Sequence, residues 1–399
     1  MQSEINISEL RAGHYVVAIV KQQGNYKLNQ AGHIKNDLVI KNLIAKGVES
    51  IIIDTDKTLK KSPTAQSNSE VFSLDEDFTP VLPESPDVFE IDKAKKLFNE
   101  SKRIQRQVFD DAFAGKPLDI EPIHNVTDNT IDAIFKNPDA LACVINIRKK
   151  DEYLLEHSVS VSVLITIFAR FLRIKKEIIQ QLAVGAFLHD VGKIMIPEEV
   201  LDKPGKLSEQ EFTIMKTHVN HSIDIIKNTP GISPISLEVA ALHHEKLDGN
   251  GYPFNVKGSD ISTYGRMISI CDIFDALTAH RCYKEGYSHM KAFSILRSLG
   301  ESGHLDKRLV NLFINCMGVF PVGSLVELGS NKLAIVEKRN LDDPTKPKVK
   351  AFYSAKHNHY VAAKNIDLSK EKDFIIKGVR ADDFDLDMNK IIEFLLTEG

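Results

Sequence analysis

Leu182-Ala183-Val184-Gly185-Ala186-Phe187-Leu188-His189-Asp190-Val191-Gly192-Lys193 is an apolar run that ends abruptly in histidine, aspartate, glycine and lysine. From Lys176 to Leu188 the pattern predicts a helix with an apolar interior, stopped at Gly192. Adjacent residues do not share a helix face. At a helix end, though, the turn can bring an imidazole and a carboxylate toward one metal ion, with Gly192 freeing the backbone to turn away. A carboxylate can bridge two cations through its two oxygens, and neutral histidine is the commonest nitrogen ligand. A single His-Asp dipeptide, taken by itself, reads as a buried structural pair.

Working outward, residues 125–318 read as predominantly helical. Leu154 to Leu172 is a long apolar-rich helix. Ser208-Glu209-Gln210-Glu211 has capping-box form ahead of a helix to about Asn228. Pro234 to His244, Ser262 to Arg281 and His289 to Leu299 follow. These helices carry ligand-type residues in apolar settings: His157 among Leu154, Leu155, Val159 and Val161, then His218, the pair His243-His244, and Asp272 inside Ile268-Ser269-Ile270-Cys271-Asp272-Ile273-Phe274. A carboxylate in such a segment is costly unless it is paired or holds a cation. Of the 14 histidines, eight lie between His157 and His289, so the ligand types concentrate in one third of the chain.

His157, His189, Asp190, His218, His243, His244 and Asp272 are too many donors for one tetrahedral zinc. They suit two divalent cations bridged by Asp190, an arrangement that can hold an activated hydroxide and both reacting oxygens of a phosphoryl centre. Nitrogen and oxygen donors without thiolate fit iron, manganese or another mid-row ion.

A second stretch narrows the chemistry. His243-His244-Glu245-Lys246-Leu247-Asp248-Gly249-Asn250-Gly251-Tyr252-Pro253 resembles the HHExxDGxGYP element of the HD-GYP family, a branch of the HD phosphohydrolase superfamily, with HDxGK upstream in matching order. The resemblance covers roughly residues 125–318. It implies an all-α HD core and hydrolysis of cyclic di-GMP to pGpG, and often onward to GMP. It makes the seven residues above the metal ligands, with Asp190 bridging and Lys193 facing the scissile phosphate. Asp248, Gly251, Tyr252 and Pro253 would line the substrate pocket. Asp275-Ala276-Leu277-Thr278 and Arg281-Cys282-Tyr283-Lys284 resemble the family's DALTxxRPYK stretch, so Arg281 and Lys284 would hold the ligand's phosphates. Members thought to hold three metals carry a glutamate four residues before the first ligating histidine. Tyr153 stands there, which implies two metals. Cys282 replaces the usual proline, and the pattern favours His218 over His221 as ligand. The resemblance leaves two rival readings: a phosphodiesterase for 3′3′-cyclic GMP-AMP, and an inactive cyclic-dinucleotide receptor or interaction protein.

The remainder flanks this core, giving a mainly α fold with an all-α HD-type core, a small α+β N-terminal module and a short β-rich C-terminal segment. Residues 1–56 have strand composition at His14 to Val20 and Glu49 to Ile53, with a short helix over Leu38 to Ala45. This module resembles a small domain found ahead of HD-GYP units, and a homodimer or a signalling partner through it is an open expectation. Residues 57–86, rich in Ser, Pro and acids, read as a flexible linker. Residues 87–124 read as a connecting helix with Ile91, Ala94, Phe98, Ile104 or Gln105, and Val108 on one stripe. Residues 319–399 read as β-rich with a final helix. A net charge of -4 gives no general pull toward a nucleic-acid polymer. No apolar run reaches the roughly 20 residues of a membrane span. Neither a secretory signal nor a Cys-x-x-Cys is present in the 399 residues, so a cytoplasmic location is expected.

Overall fold

The computed structural model describes residues 2–10, 14–23, 31–33, 43–44, 46–55, 88–145, 153–279, 286–340, 342–388 and 390–391. The chain divides into two compact units, Met1–Ser73 and Leu74–Gly399.

In the first unit, β1 (Gln2–Asn6), β2 (Tyr15–Gln22), β3 (Gly32–His33) and β4 (Val48–Asp54) form an antiparallel sheet in the order β1-β4-β2-β3. Leu10, Val16, Val48, Ile51 and Ile53 make its core. β2 and β4 coincide with the two apolar runs. β1 has no such signal, because four of its five residues are exposed and its pairing to β4 is carried by the backbone. The expected helix over Leu38 to Ala45 lies outside the described residues except for Leu43 and Ile44, which are helical. The linker over 57–86 lies outside them entirely.

The second unit opens with α1 (Val88–Phe113) and α2 (Ile120–Lys136), so the single connecting helix expected over 87–124 is two helices, the second crossing the expected boundary at 125. Gly115 at φ +66°, Pro117, and Asp119 accepting the Glu121 amide as N-cap break and restart the chain. Then come α3 (Pro138–Ile145), α4 (Tyr153–Phe171), α5 (Lys176–Leu188), α6 (Glu198–Leu201), α7 (Glu209–Lys227), α8 (Pro234–Leu242), α9 (Thr263–Thr278), α10 (His289–Glu301) and α11 (Lys307–Met317). The capping box at α7 is formed: Glu211 N–H donates to Ser208 Oγ at 3.2 Å and Ser208 N–H to Glu211 Oε2 at 2.6 Å. Helix α4 packs on α5 and α9, and α5 on α8, which sets the ligand-bearing ends around one point.

One long apolar helix bears on the expectation about membranes. Leu154–Phe171 is long and apolar enough to span a bilayer by length and composition. Inside this fold 78% of it is buried, and it carries buried Glu156, His157, Ser158, Ser160, Ser162 and Thr166, the pattern of a core helix.

After α11, β5 (Leu325–Leu328), β6 (Lys332–Lys338), β7 (Lys348–Ser354), β8 (His359–Asp367) and β9 (Ile375–Val379) form an antiparallel sheet in the order β8-β7-β6-β5-β9. Alternation puts Leu325, Leu333, Ile335 and Phe352 in one core with Cys143 of α3, and Val326, Ala334, Val336 and Val349 in another. Arg339 donates to Asp139 of α3 at 2.7 Å, tying the sheet to the helices. The expected final helix is visible only at Met388, Lys390 and Ile391; residues 392–399 lie outside the described set.

Candidate metal centre

His157 sits in the first turns of α4. His189 caps the C-terminus of α5, and Asp190 opens the 3₁₀ turn Val191–Met195. His218 lies within α7, His243 caps α8 with His244 next, and Asp272 is in α9. The fold brings all seven together. Asp190 is the centre: its Oδ2 is 3.4 Å from His157 Nε2 and 3.3 Å from His189 Nε2, while its Oδ1 is 3.3 Å from His218 Nε2 and 3.7 Å from His243 Nε2. Asp272 Oδ1 is 3.0 Å from His157 Nε2, and its Oδ2 is 3.6 Å from His244 Nδ1. The donors of His157, His189 and Asp272 lie within 4.8 Å of one another, as do those of His218, His243 and His244, and those of His189, Asp190 and His243.

Three rings are set in the same way. His189, His218 and His243 each hold Nδ1 at 2.6 Å from the carbonyl oxygen three residues earlier, of Ala186, Met215 and Ala240. A carbonyl only accepts, so Nδ1 carries a proton and Nε2 is the ring atom that faces the cluster. Burial, then the neighbouring His244 and His189, hold the His243 imidazole well below its ordinary value and keep it neutral. Loss of water around His244 lowers it to about 3 despite Asp272 nearby. Burial alone would raise the Asp190 carboxyl, but His189, Lys193 and His157 outweigh it and keep the group ionised. Asp272 is lowered likewise, with the bond to His157 the first of the effects that overcome burial. The neutral imidazoles of His243 and His244 and the ionised carboxyls of Asp190 and Asp272 are the ligand forms of both residue types. His189 Nε2 and Asp190 Oδ1 are buried without a hydrogen bond, a deficit that a cation would remove. The cluster can therefore hold divalent metal ions.

Gly192 acts differently from expectation. It is absent from the positive-φ glycines, and a Cβ there would stand 2.2 Å from His218 O and 2.4 Å from Ser222 N. Its part is close approach. It lets the His189-Asp190 turn press against α7, where its amide donates to Ser222 Oγ at 2.8 Å.

A family model described as an HD domain matches residues 143–309, and one described as a domain of unknown function, DUF3391, matches residues 2–123. A cyclic di-GMP phosphodiesterase of Pseudomonas aeruginosa is 32% identical over 282 residues, covering 70% of this chain and 67% of that protein. The chain belongs to the HD-GYP family. A 3′3′-cGAMP-specific phosphodiesterase of Vibrio cholerae is 42% identical over 129 residues, 32% of this HD-GYP chain and 24% of that protein. A solved HDG"Y"P protein from Bdellovibrio bacteriovorus aligns at a TM-score of 0.48 and 19% identity, over 79% of this chain and 99% of that one. The DUF3391 match runs through α1, past the expected module boundary at 56.

The HD-GYP loop lies beside the cluster. The Tyr252 ring packs on His244 with centroids 4.7 Å apart, the Tyr252-Pro253 peptide is cis, and Tyr252 N–H donates to His244 O at 3.2 Å. Burial, then Asp272 and Asp190, push the Tyr252 phenol up, so it stays a neutral hydroxyl. A Cβ on Gly251 would stand 2.4 Å from Glu245 Cα, so this loop also depends on close approach. Asp248 is engaged within the loop: it accepts from the Asn250 amide at 2.9 Å and lies 3.1 Å from His304 Nε2. Lys193 Nζ is 2.5 Å from Asp190 Oδ2, at the edge of the cluster. His221 lines a separate cleft of about 320 Å³ with Met195 and Asp224. Arg281, Cys282 and Lys284 lie outside the described residues. Tyr153 begins α4, and its side chain is not described.

Two working residues carry no role in the sequence reading. Asp275 Oδ2 is 2.7 Å from His157 Nδ1 and orients that ring. Its position three residues after Asp272, in the same apolar helix, was the available signal. Buried Glu245 accepts from Phe254 N–H at 2.6 Å and Asn255 N–H at 3.1 Å, fastening the far side of the Tyr252-Pro253 loop. Its place as the defined glutamate of the HHExxDGxGYP element was the available signal.

Proposed function

We propose that the chain is a metal-dependent phosphodiesterase that hydrolyses a cyclic dinucleotide, cyclic di-GMP in the first instance, to pGpG or GMP. The observation that carries this is Asp190, whose two oxygens face two separate sets of histidine nitrogens. That division supports a dinuclear centre, and the thiolate-free donors support iron or manganese. Divalent ions held there would supply Lewis-acid activation of water and of the phosphate ester. The protein's own contribution is orientation: carbonyl-locked imidazoles, Asp275 behind His157, and a Tyr252 ring that covers His244. Lys193, poised at Asp190, offsets negative charge developing on the phosphate. The relatives named for cyclic di-GMP and for 3′3′-cGAMP support a cyclic dinucleotide substrate and make cyclic GMP-AMP the second reading.

The test is anaerobic loading with manganese or ferrous iron, metal analysis, and parallel assays on both cyclic dinucleotides with product identification. Conversion of cyclic di-GMP at the higher kcat/KM is expected. A higher kcat/KM for cyclic GMP-AMP transfers the assignment to the second reading. Tight binding without turnover of either, at full metal occupancy, assigns a receptor instead.

A further inference from the structure

We infer that Phe212 and Lys216 form a nucleobase subsite at the mouth of the metal centre, Phe212 stacking a purine and Lys216 meeting a phosphate; this rests on the cyclic-dinucleotide reading above. Phe212 is 47% exposed, a large apolar surface left in water on the helix that carries His218. Its ring is 6.3 Å from that of Tyr252, edge to face, and Tyr252 in turn lies 4.7 Å from His244 and 6.4 Å from His218. Tyr252 thus joins the exposed ring to the donor cluster, and the two steps together span about one nucleoside. A phosphodiester held at the metals would carry its base over this shelf. Lys216 is one turn on from Phe212, with its ammonium 5.4 Å from the ring centroid. Among the described residues Lys216 forms no salt bridge, so its charge is available to an anion beside the stacked base. Aromatic stacking accepts any base, so this subsite contributes affinity and leaves the choice between guanine and adenine to other groups.

A purely structural alternative is that Phe212, four residues after the Ser208 N-cap, packs only to brace the helix start. Substitution separates the two. Phe212→Ala is expected to raise KM for the cyclic dinucleotide about 10-fold with kcat and bound metal unchanged, as loss of one base stack requires. Phe212→Trp restores the wild-type KM, and Lys216→Gln raises KM with a weaker dependence on salt. Phe135→Ala is the matched control: an exposed aromatic flanked by Arg170 and Lys176, outside the donor cluster. It leaves KM unchanged. An unchanged KM in Phe212→Ala, or a fall in kcat and metal content with no change in KM, overturns the inference. If the wild type turns over no cyclic dinucleotide, the functional reading fails, and calorimetric titration with GMP still decides the subsite. Weaker GMP binding by Phe212→Ala than by wild type supports it, and equal binding overturns it.

Discussion

Asp275 Oδ2 lies 2.7 Å from His157 Nδ1, while Asp272, one helical turn earlier, has its Oδ1 3.0 Å from Nε2 of the same ring. One helix thus supplies both a donor to the cluster and the carboxylate that aims its neighbour. Carboxylate partners behind a ligating histidine typically change metal affinity 10–100-fold. Asp275→Asn should retain the fold and lower metal affinity by about that factor, measured by competition with a chelator. Wild-type affinity in this variant would show that His157 is held without the carboxylate's charge.

Gly192→Ala should be far more damaging than Gly115→Ala. At Gly192 the added methyl meets backbone atoms at 2.2 and 2.4 Å, which cannot yield as a flexible side chain does. A loss of about 3 kcal/mol and of bound metal is expected. Gly115 has open space but φ +66°, so alanine there should cost only about 1 kcal/mol. Chemical denaturation of both variants, beside metal analysis, checks the order.

Chelation should destabilise the protein. Cations bound to the folded state alone add stability by mass action, roughly 2.7 kcal/mol at a hundred times Kd. The thermal midpoint should fall on treatment with a chelator and recover with manganese. Asp190→Ala should bind little metal and show no such recovery.

Cys143, Cys271 and Cys316 should resist alkylation in the native protein. Burial pushes the Cys143 and Cys316 thiols up to about 12, and Cys271 well above its ordinary value. A raised thiol pKa means that the reactive thiolate is scarce below it, so at pH 8 only about one part in 10⁴ is available. Raising the pH from 7 to 9 should leave these three unmodified in peptide mass spectrometry, and denaturant should expose them.

Much of the site was legible before folding because its residues violate their surroundings. A histidine among valines and leucines, or Asp272 between isoleucines, is expensive enough to demand a reason. Residues whose service is to another residue leave a fainter trace. Glu245 fastens a loop through backbone amides that lie nine and ten residues away, a relation with no local period. β9 leaves little local trace for a similar reason: its hydrogen bonds run to β5, about fifty residues earlier, and its exposed Ile376 and Lys377 break the alternation.

By itself the sequence determined the helical core, the seven donor types and the loop of residues 248–253, since these depend on periodicity, capping and side-chain chemistry. Tertiary structure alone decided the division of Asp190's oxygens between two histidine sets, the locking of three rings on their own helix carbonyls, and the use of Gly192 as a contact point and not as a turn. Those outcomes depend on where separate helices meet. A shift of about an ångström between α5 and α7 would separate Asp190 from His218 without altering a single local preference.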